Sequence, residues 1–180
     1  GKLIEDSDAI FITVPDNVIT EVYRQVAEFE IQDKYICHCS GACTAEEAFP
    51  GIHAQGAYAI SIHLLFPISS KYNCWRELAG AFFCVEGDAQ AVEVFVPLLR
   101  GLGLQVQTIS PESKAQYHLS CALASNFVCA LVQRSAELLG GCGFSQTDAL
   151  HALAPLMRSN LAHVIEHGAV SALSLIHISE

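Results

Sequence analysis

The sequence predicts an α/β layer fold: a mostly parallel sheet followed by an all-helical segment. Three observations carry that expectation. Short, β-branched apolar runs such as A-I-F-I-T-V at 9–14 are of the kind buried on both faces of a parallel sheet. These runs alternate with segments of helical period as far as Ile109. After Pro111 no strand pattern survives.

Taken in order, Ala9 to Val14 is the first strand, stopped by Pro15 and Asp16. Asp16 or Asn17 can cap a helix in which Val18, Ile19, Val22, Val26 and Phe29 recur at helical spacing. Tyr35 to Cys39 is the second strand, Ser40-Gly41 a turn, and Ala45 to Phe49 a short helix. Ala57 to Ile62 and Ala81 to Val85 are the third and fourth strands. Gly87-Asp88 caps a helix from Ala89 to Leu102, and Leu104 to Ile109 is the fifth strand. A single long helix is expected from Ser113 to Gly140, ended by Gly140-Gly141 and Gly143. Ser145 or Thr147 caps a last helix that runs past Pro155 to about His167. The domain boundary is placed at Ser110 to Glu112, giving an α/β part over 1–110 and a helical part over 111–173.

Composition narrows the function classes. Apolar residues make up 52% and charged ones 16%, which fits an ordered globular core and not a disordered chain. A net charge of −10 without a basic cluster argues against nucleic acid as a partner. No uninterrupted apolar run reaches the eighteen or so residues that a membrane helix requires, so no membrane partner is expected. The eight cysteines include no C-x-x-C pair, and Cys84, Cys121 and Cys129 sit in apolar segments as small hydrophobes, a pattern that suits reduced thiols and a cytoplasmic setting. The chain opens on Gly1 in mid-flow, and its last residues, S-L-I-H-I-S-E at 174–180, read as an adapter-like tail. The working expectation is a fragment cut at both ends.

The stretch S-K-A-Q-Y-H-L-S-C-A-L-A-S-N at 113–126 concentrates chemistry on one helix. Lys114 and His118 lie four apart and share a face, with Ser125 and Asn126 further along it. The other face, Leu119, Ala122, Leu123, Phe127, Ala130 and Leu131, is apolar, so a buried helix is expected. Buried polar groups are costly without partners or a task. In open α/β sheets ligands bind beyond the carboxyl ends of the strands. Those positions are Val14-Pro15-Asp16, Cys39-Ser40-Gly41 and Ile62-His63. No G-x-G-x-x-G turn is present to hold a dinucleotide pyrophosphate.

The residues V-P-D at 14–16, H-C-S-G at 38–41, S-I-H at 61–63, F-F-C-V-E-G-D at 82–88, K-A-Q-Y-H at 114–118 and S-N at 125–126 resemble a little-characterised family. Its members join a Rossmann-like NAD(P)-binding domain to a helical C-terminal domain of unknown function. They are similar to the 6-phosphogluconate and β-hydroxyacid dehydrogenases and, more loosely, to pyrroline-carboxylate reductases. The resemblance implies an oxidoreductase that uses NAD or NADP on a small carbonyl, hydroxy-acid or imine substrate. It implies substrate contacts at Ser40 and Gly41, while strand-end topology places cofactor contacts at Val14, Pro15 and Asp16 and a further substrate contact at His63. Lys114 matches a catalytic lysine of the dehydrogenases, whereas His118 stands where they have asparagine. Leu64 stands where the family has proline.

On this reading Lys114 transfers the proton, His118 assists and Asn126 orients the substrate. A lysine in an apolar cleft can lose its proton near neutral pH, and a histidine needs no shift to do so. His38 and His63 can equally be hydrogen-bonded core residues. Cys37-His38-Cys39 with Cys43 suggests zinc, but strand alternation points His38 away from the two thiols, so no metal is expected. A nucleophilic Cys39 or Cys43 lacks a readable oxyanion feature. Small residues from Ser120 to Ser125 suit either a homodimer contact or packing within a domain. Two non-enzymatic alternatives stand beside the oxidoreductase: a nucleotide- or metabolite-sensing module and a structural dimerisation fragment.

Overall fold

A computed structural model of the protein describes residues 1–68 and 75–174. It divides into two compact units, Gly1–Cys121 and Ala122 onward. Most of the tail-like segment, 175–180, lies outside the described residues.

The first unit is built on a five-stranded sheet. Its strands are β1 (Ala9–Ile12), β2 (Tyr35–His38), β3 (Tyr58–Leu65), β4 (Phe82–Gly87) and β5 (Gln105–Thr108), in the spatial order β1-β2-β3-β4-β5. Three neighbouring pairs are parallel, and β3 with β4 is antiparallel. The helices of this unit are α1 (Lys2–Glu5), α2 (Ile19–Val26), α3 (Ala45–Ala48), α4 (Ala89–Gly101) and the first turns of α5 (Lys114–Ala124). The fold class is therefore the expected one. The sheet is mostly parallel, as expected; the sequence does not show that direction reverses between β3 and β4, because a run buried on both faces has the same pattern in either direction.

Strand alternation sends successive side chains to two cores. On one face Ile12, Ile36 and Ala59 pack with Ile19 and Tyr23 of α2 and with Phe49 beyond α3. On the other, Cys37, Ile60, Ile62 and Val85 pack with Ala91, Phe95 and Val96 of α4. Each large side chain buried in this way contributes about 1.5–3 kcal/mol. Tyr23 packs on Phe49 with ring centroids 5.0 Å apart and the planes tilted by 50°, while Phe29 lies beyond the helix and is exposed. A capping box fixes α3: the Glu47 N–H donates to Thr44 Oγ1 at 3.1 Å, and the Thr44 N–H donates to Glu47 Oε2 at 3.0 Å.

Asp88 precedes α4 without capping it through its side chain. Its carboxylate instead accepts the Ala59 N–H at 2.7 Å and meets His53 Nε2 at 2.9 Å. The carboxylate is diverted sideways to β3, which the expectation of a simple cap did not anticipate.

The second unit holds the end of α5, then α6 (Asn126–Gly141), α7 (Gln146–His167) and α8 (Ala169–Ser174). Ser145 caps α7, accepting the Asp148 N–H at 3.1 Å. The expected single helix from Ser113 to Gly140 is interrupted at Ser125, whose backbone leaves the helical region (φ −122°, ψ −79°). Apolar periodicity runs straight through that residue, so the sequence pattern conceals the break. The buried apolar face expected for this run is not found: Leu119, Leu123, Phe127 and Leu131 are exposed. Cys84 is buried, but Cys121 is only partly so and Cys129 is exposed, so the small-hydrophobe reading holds for Cys84 alone.

The helical stretch Pro111–Gly141 is long and apolar enough to cross a membrane by length and composition, with a mean hydropathy of 1.2 in its best window. Counting uninterrupted apolar residues overlooks it. Its first turns nevertheless carry a lysine bonded to the sheet, and it breaks at Ser125.

Gly87 ends β4 at φ +149°, and a Cβ there would meet the Ala59 carbonyl oxygen and, at 2.8 Å, Ile60 Cα. Gly87→Ala is therefore expected to destabilise the fold by on the order of 3 kcal/mol, from backbone strain and steric overlap together. A fall in the urea midpoint with unchanged slope is the measurement that checks it.

Candidate functional site

The register of the sheet places four residues in one row: Ile12, His38, Ser61 and Glu86. Strands β1 and β2 stop at that row, while β3 continues to Leu65 against β4. His63 was expected at a strand end. It lies inside β3, although two residues past the ends of β1 and β2. The step so formed is the carboxyl edge at which ligands of such sheets bind.

Helix α5 meets this step through Lys114 and Tyr117, one turn apart on one face. Lys114 is only 1% exposed. Its ammonium donates to Ser61 Oγ at 2.5 Å and lies 3.8 Å from Glu86 Oε2, whose residue is also 1% exposed. The same Glu86 oxygen accepts the Ala45 N–H at 3.0 Å, and its Oε1 has no hydrogen-bond partner among the described residues. Burial pushes the Lys114 pKa down and that of Glu86 up, and the attraction between them opposes both shifts. The reading in which Lys114 merely faces water at a helix start is excluded by its enclosure.

One row further on, Tyr117 Oη lies 2.5 Å from His63 Nδ1. Both residues are partly exposed, unlike Lys114. Burial first, then the Lys114 charge and His118, hold the imidazole of His63 below its ordinary pKa, with Asp16 pulling the other way. Burial and the neighbouring Cys84 and Cys121 thiols push the Tyr117 hydroxyl up. A neutral imidazole against a neutral phenol makes a couple through which one proton can pass.

Gly41 is what lets His63 lie there. A Cβ on Gly41 would sit 2.7 Å from His63 Nε2 and 2.9 Å from Cε1. The space above this glycine, expected to contact substrate, is filled by the imidazole.

Ser40 is buried and organises its turn. Its Oγ donates to Asp16 Oδ2 at 2.8 Å and accepts the N–H groups of Ala42 and Cys43, each at 3.1 Å. Its N–H donates to His38 Nδ1 at 3.1 Å, which places the ring proton of neutral His38 on Nε2. Ser61 Oγ donates to the Ser40 carbonyl at 3.2 Å. His38 thus faces α3 while Cys37 belongs to the opposite core, the alternation read from the strand.

Of the predicted site residues, the structure brings together Asp16, Ser40, Gly41, His63 and Lys114. Val14 and Pro15 lie on the turn leading into Asp16. His118 is exposed on α5 and enters only through its charge on His63. Asn126 belongs to the second unit, exposed, with its Oδ1 accepting from Ser125 Oγ at 3.2 Å. Three residues were missed: Ser61, Glu86 and Tyr117. Tyr117 sits three residues from Lys114 and was available from helical spacing. Glu86 carried a signal too, as a lone acid in a run otherwise apolar.

A family model described as a domain of unknown function, DUF2520, matches residues 81–174, just over half of the chain. The comparison with curated proteins returns no match. Among solved structures, the chain is similar to protein TM1727 from Thermotoga maritima, with 24% identity and a TM-score of 0.71 over 92% of this chain and 62% of that one. It is similar to an NADH-preferring ketol-acid reductoisomerase from an uncultured archaean, with 18% identity and a TM-score of 0.70 over 95% and 54%. It is also similar to a reductive aminase from Aspergillus terreus in complex with NADPH and ethyl-5-oxohexanoate, with 17% identity and a TM-score of 0.61 over 89% and 56%. The chain spans less than two thirds of the length of each of these. The likeness establishes that the chain shares the fold of these proteins.

Burial, and then the Lys114 charge, hold the His38 pKa down to about 4 from 6.5, against the pull of Asp16 and the Thr44 carbonyl. As pH falls the unfolded chain takes up this proton first. The contribution is therefore complete above about pH 6.5 and is lost on descending to about pH 4, amounting to about 3 kcal/mol. Urea unfolding across this window is expected to lose stability as pH falls, and His38→Asn, which keeps an acceptor for the Ser40 N–H, to flatten that dependence.

Proposed function

We propose that this chain, which belongs to the DUF2520 family, carries the proton-transfer side of an NAD(P)-dependent oxidoreductase acting on a small carbonyl, hydroxy-acid or imine substrate. One observation carries the reading: a sealed lysine–glutamate pair lies directly behind a partly exposed histidine–tyrosine couple, at the carboxyl edge of a sheet of oxidoreductase type.

The residues present fit one end of a nicotinamide cofactor. Asp16 is an exposed carboxylate beyond β1, with only one of its oxygens engaged by Ser40, and suits a ribose hydroxyl. Pro15 offers no N–H and Asp16 repels anions, so Val14-Pro15-Asp16 does not fit the phosphates. A bound reduced nicotinamide supplies hydride, and the chemistry left to this chain is the proton. Tyr117 Oη hands its proton to the developing oxyanion or amine, the Nδ1–H of neutral His63 passes its own to the phenolate, and His63 Nε2 takes up one from solvent in exchange. Lys114 acts through its charge: without exposed surface it does not reach the substrate, but it stabilises negative charge in front of it and keeps His63 neutral. Ser40 and Gly41 hold the turn that seats His63. His118 tunes the same imidazole through its charge. Asn126 is kept as an orienting residue on the family resemblance alone. The exposed Leu119, Leu123, Phe127 and Leu131 support a homodimer through the helical region.

A sensing module on the same fold is favoured by the enclosure of Lys114. It predicts cofactor binding without turnover of any carbonyl or imine.

In the complete protein, Tyr117→Phe is expected to lower kcat by about a hundredfold or more while leaving cofactor affinity unchanged. Removing Lys114 alone would strand the Glu86 charge at a cost of about 3–5 kcal/mol. The paired change Lys114→Met with Glu86→Gln avoids this, and is expected to fold and still lose turnover. Nicotinamide absorbance reports the rate. Wild-type rates in both variants would remove the catalytic assignment.

A further inference from the structure

Beside the His63–Tyr117 couple, and within the first unit, is a cavity of about 240 Å³. Its walls are the apolar Leu65, Phe82, Phe83 and Ile109. Cys84 and Gln107 complete it without charge, and Tyr117 forms the side shared with the couple. The register explains the placement. His63 and Cys84 are direct partners across β3 and β4, and Cys84 and Gln107 across β4 and β5. Two residues on, Leu65 and Phe82 pair on the same face. The sheet therefore passes from the row of Ser61 and Glu86, which holds the buried Lys114 ammonium, through the neutral acid/base couple, to an apolar wall, within four residues of one strand.

Resting on the oxidoreductase reading, we infer that this cavity holds the substituent of the substrate's carbonyl or imine carbon, and that the substituent is an uncharged aryl or short alkyl group. A cavity of about 150 Å³ lined by apolar side chains accepts benzene, so this volume takes a substituted ring or a chain of several carbons. Among the described residues no lysine or arginine lines it. The cavity is open to solvent along Leu65 and Phe82, which are 42% and 55% exposed, and its described walls offer a carboxylate or phosphate no counter-charge, whereas they bury apolar carbon favourably. The substrate class is thus an apolar ketone, aldehyde or imine, set apart from sugar-phosphate and dicarboxylate substrates by the apolar, cation-free lining that the described residues provide.

The test compares acetophenone with its ring-carboxylated analogue. Methyl NMR of the complete protein is expected to show acetophenone perturbing Leu65 and Ile109 first, with affinity at least about tenfold above that of the carboxylate. Gln107→Arg, on the exposed edge strand, is expected to reverse the preference, and Ile109→Trp to abolish acetophenone binding while leaving the remaining spectrum in place. Equal affinities, shifts confined to other methyls, or a Gln107→Arg variant with the wild-type preference would overturn the assignment. Turnover separates the two proposals. Acetophenone in the cavity without nicotinamide oxidation overturns the oxidoreductase reading alone. Turnover with equal kcat/KM for both ketones overturns the cavity assignment alone.

Discussion

The Lys114–Glu86 contact is the constraint on which the rest of the first unit depends. Two opposite charges are held out of water 3.8 Å apart, each on a residue with 1% exposure. Taking such ions out of solvent costs several kcal/mol apiece, repaid only when geometry and additional hydrogen bonds are right. Ser61 Oγ and the Ala45 N–H provide those bonds. Four elements are tied in one place: β3 through Ser61, β4 through Glu86, α3 through Ala45 and α5 through Lys114. A displacement of any of them leaves a buried ion short of a partner, and the carboxyl edge of the sheet is accordingly well determined.

That rigidity sets the neighbouring chemistry. His63 and Tyr117 lie one row beyond the ion pair, close enough for the ammonium to disfavour a second positive charge. The imidazole stays neutral by burial and by repulsion, and the phenol by burial. The closeness of Gly41 limits where the ring can go. A charge that stays put and a neutral couple that can exchange a proton are different tasks, and the structure gives them to different residues.

Much of this was legible in the sequence, at the level of local pattern. The strands around Ile12, Ile36, Ile60 and Val85 followed from β-branched apolar runs, and the Ser145 cap from its place ahead of a helical period. The turns at Asp16 and Ser40-Gly41, and Lys114 itself, were visible as polar or small residues at the ends of apolar segments. What stayed hidden has a common cause. The reversal of β4, the interruption at Ser125 and the diversion of the Asp88 carboxylate to Ala59 and His53 are all decided by partners distant in sequence or by a backbone turn that leaves the apolar period intact. Glu86 reads as an oddity in a strand until Lys114 is set against it.

By itself the sequence determined the layer architecture, the buried-strand residues and the presence of a lysine with a histidine and a tyrosine within the next turn, because hydrophobic period and helical spacing are local properties. Only the tertiary structure decided which of those groups is sealed and which is open. Enclosing Lys114 with Glu86 while leaving His63 and Tyr117 partly exposed requires α5, β3 and β4 to meet at one register, and solvation, which sets the charge state of each group, is a property of that meeting and not of any one segment.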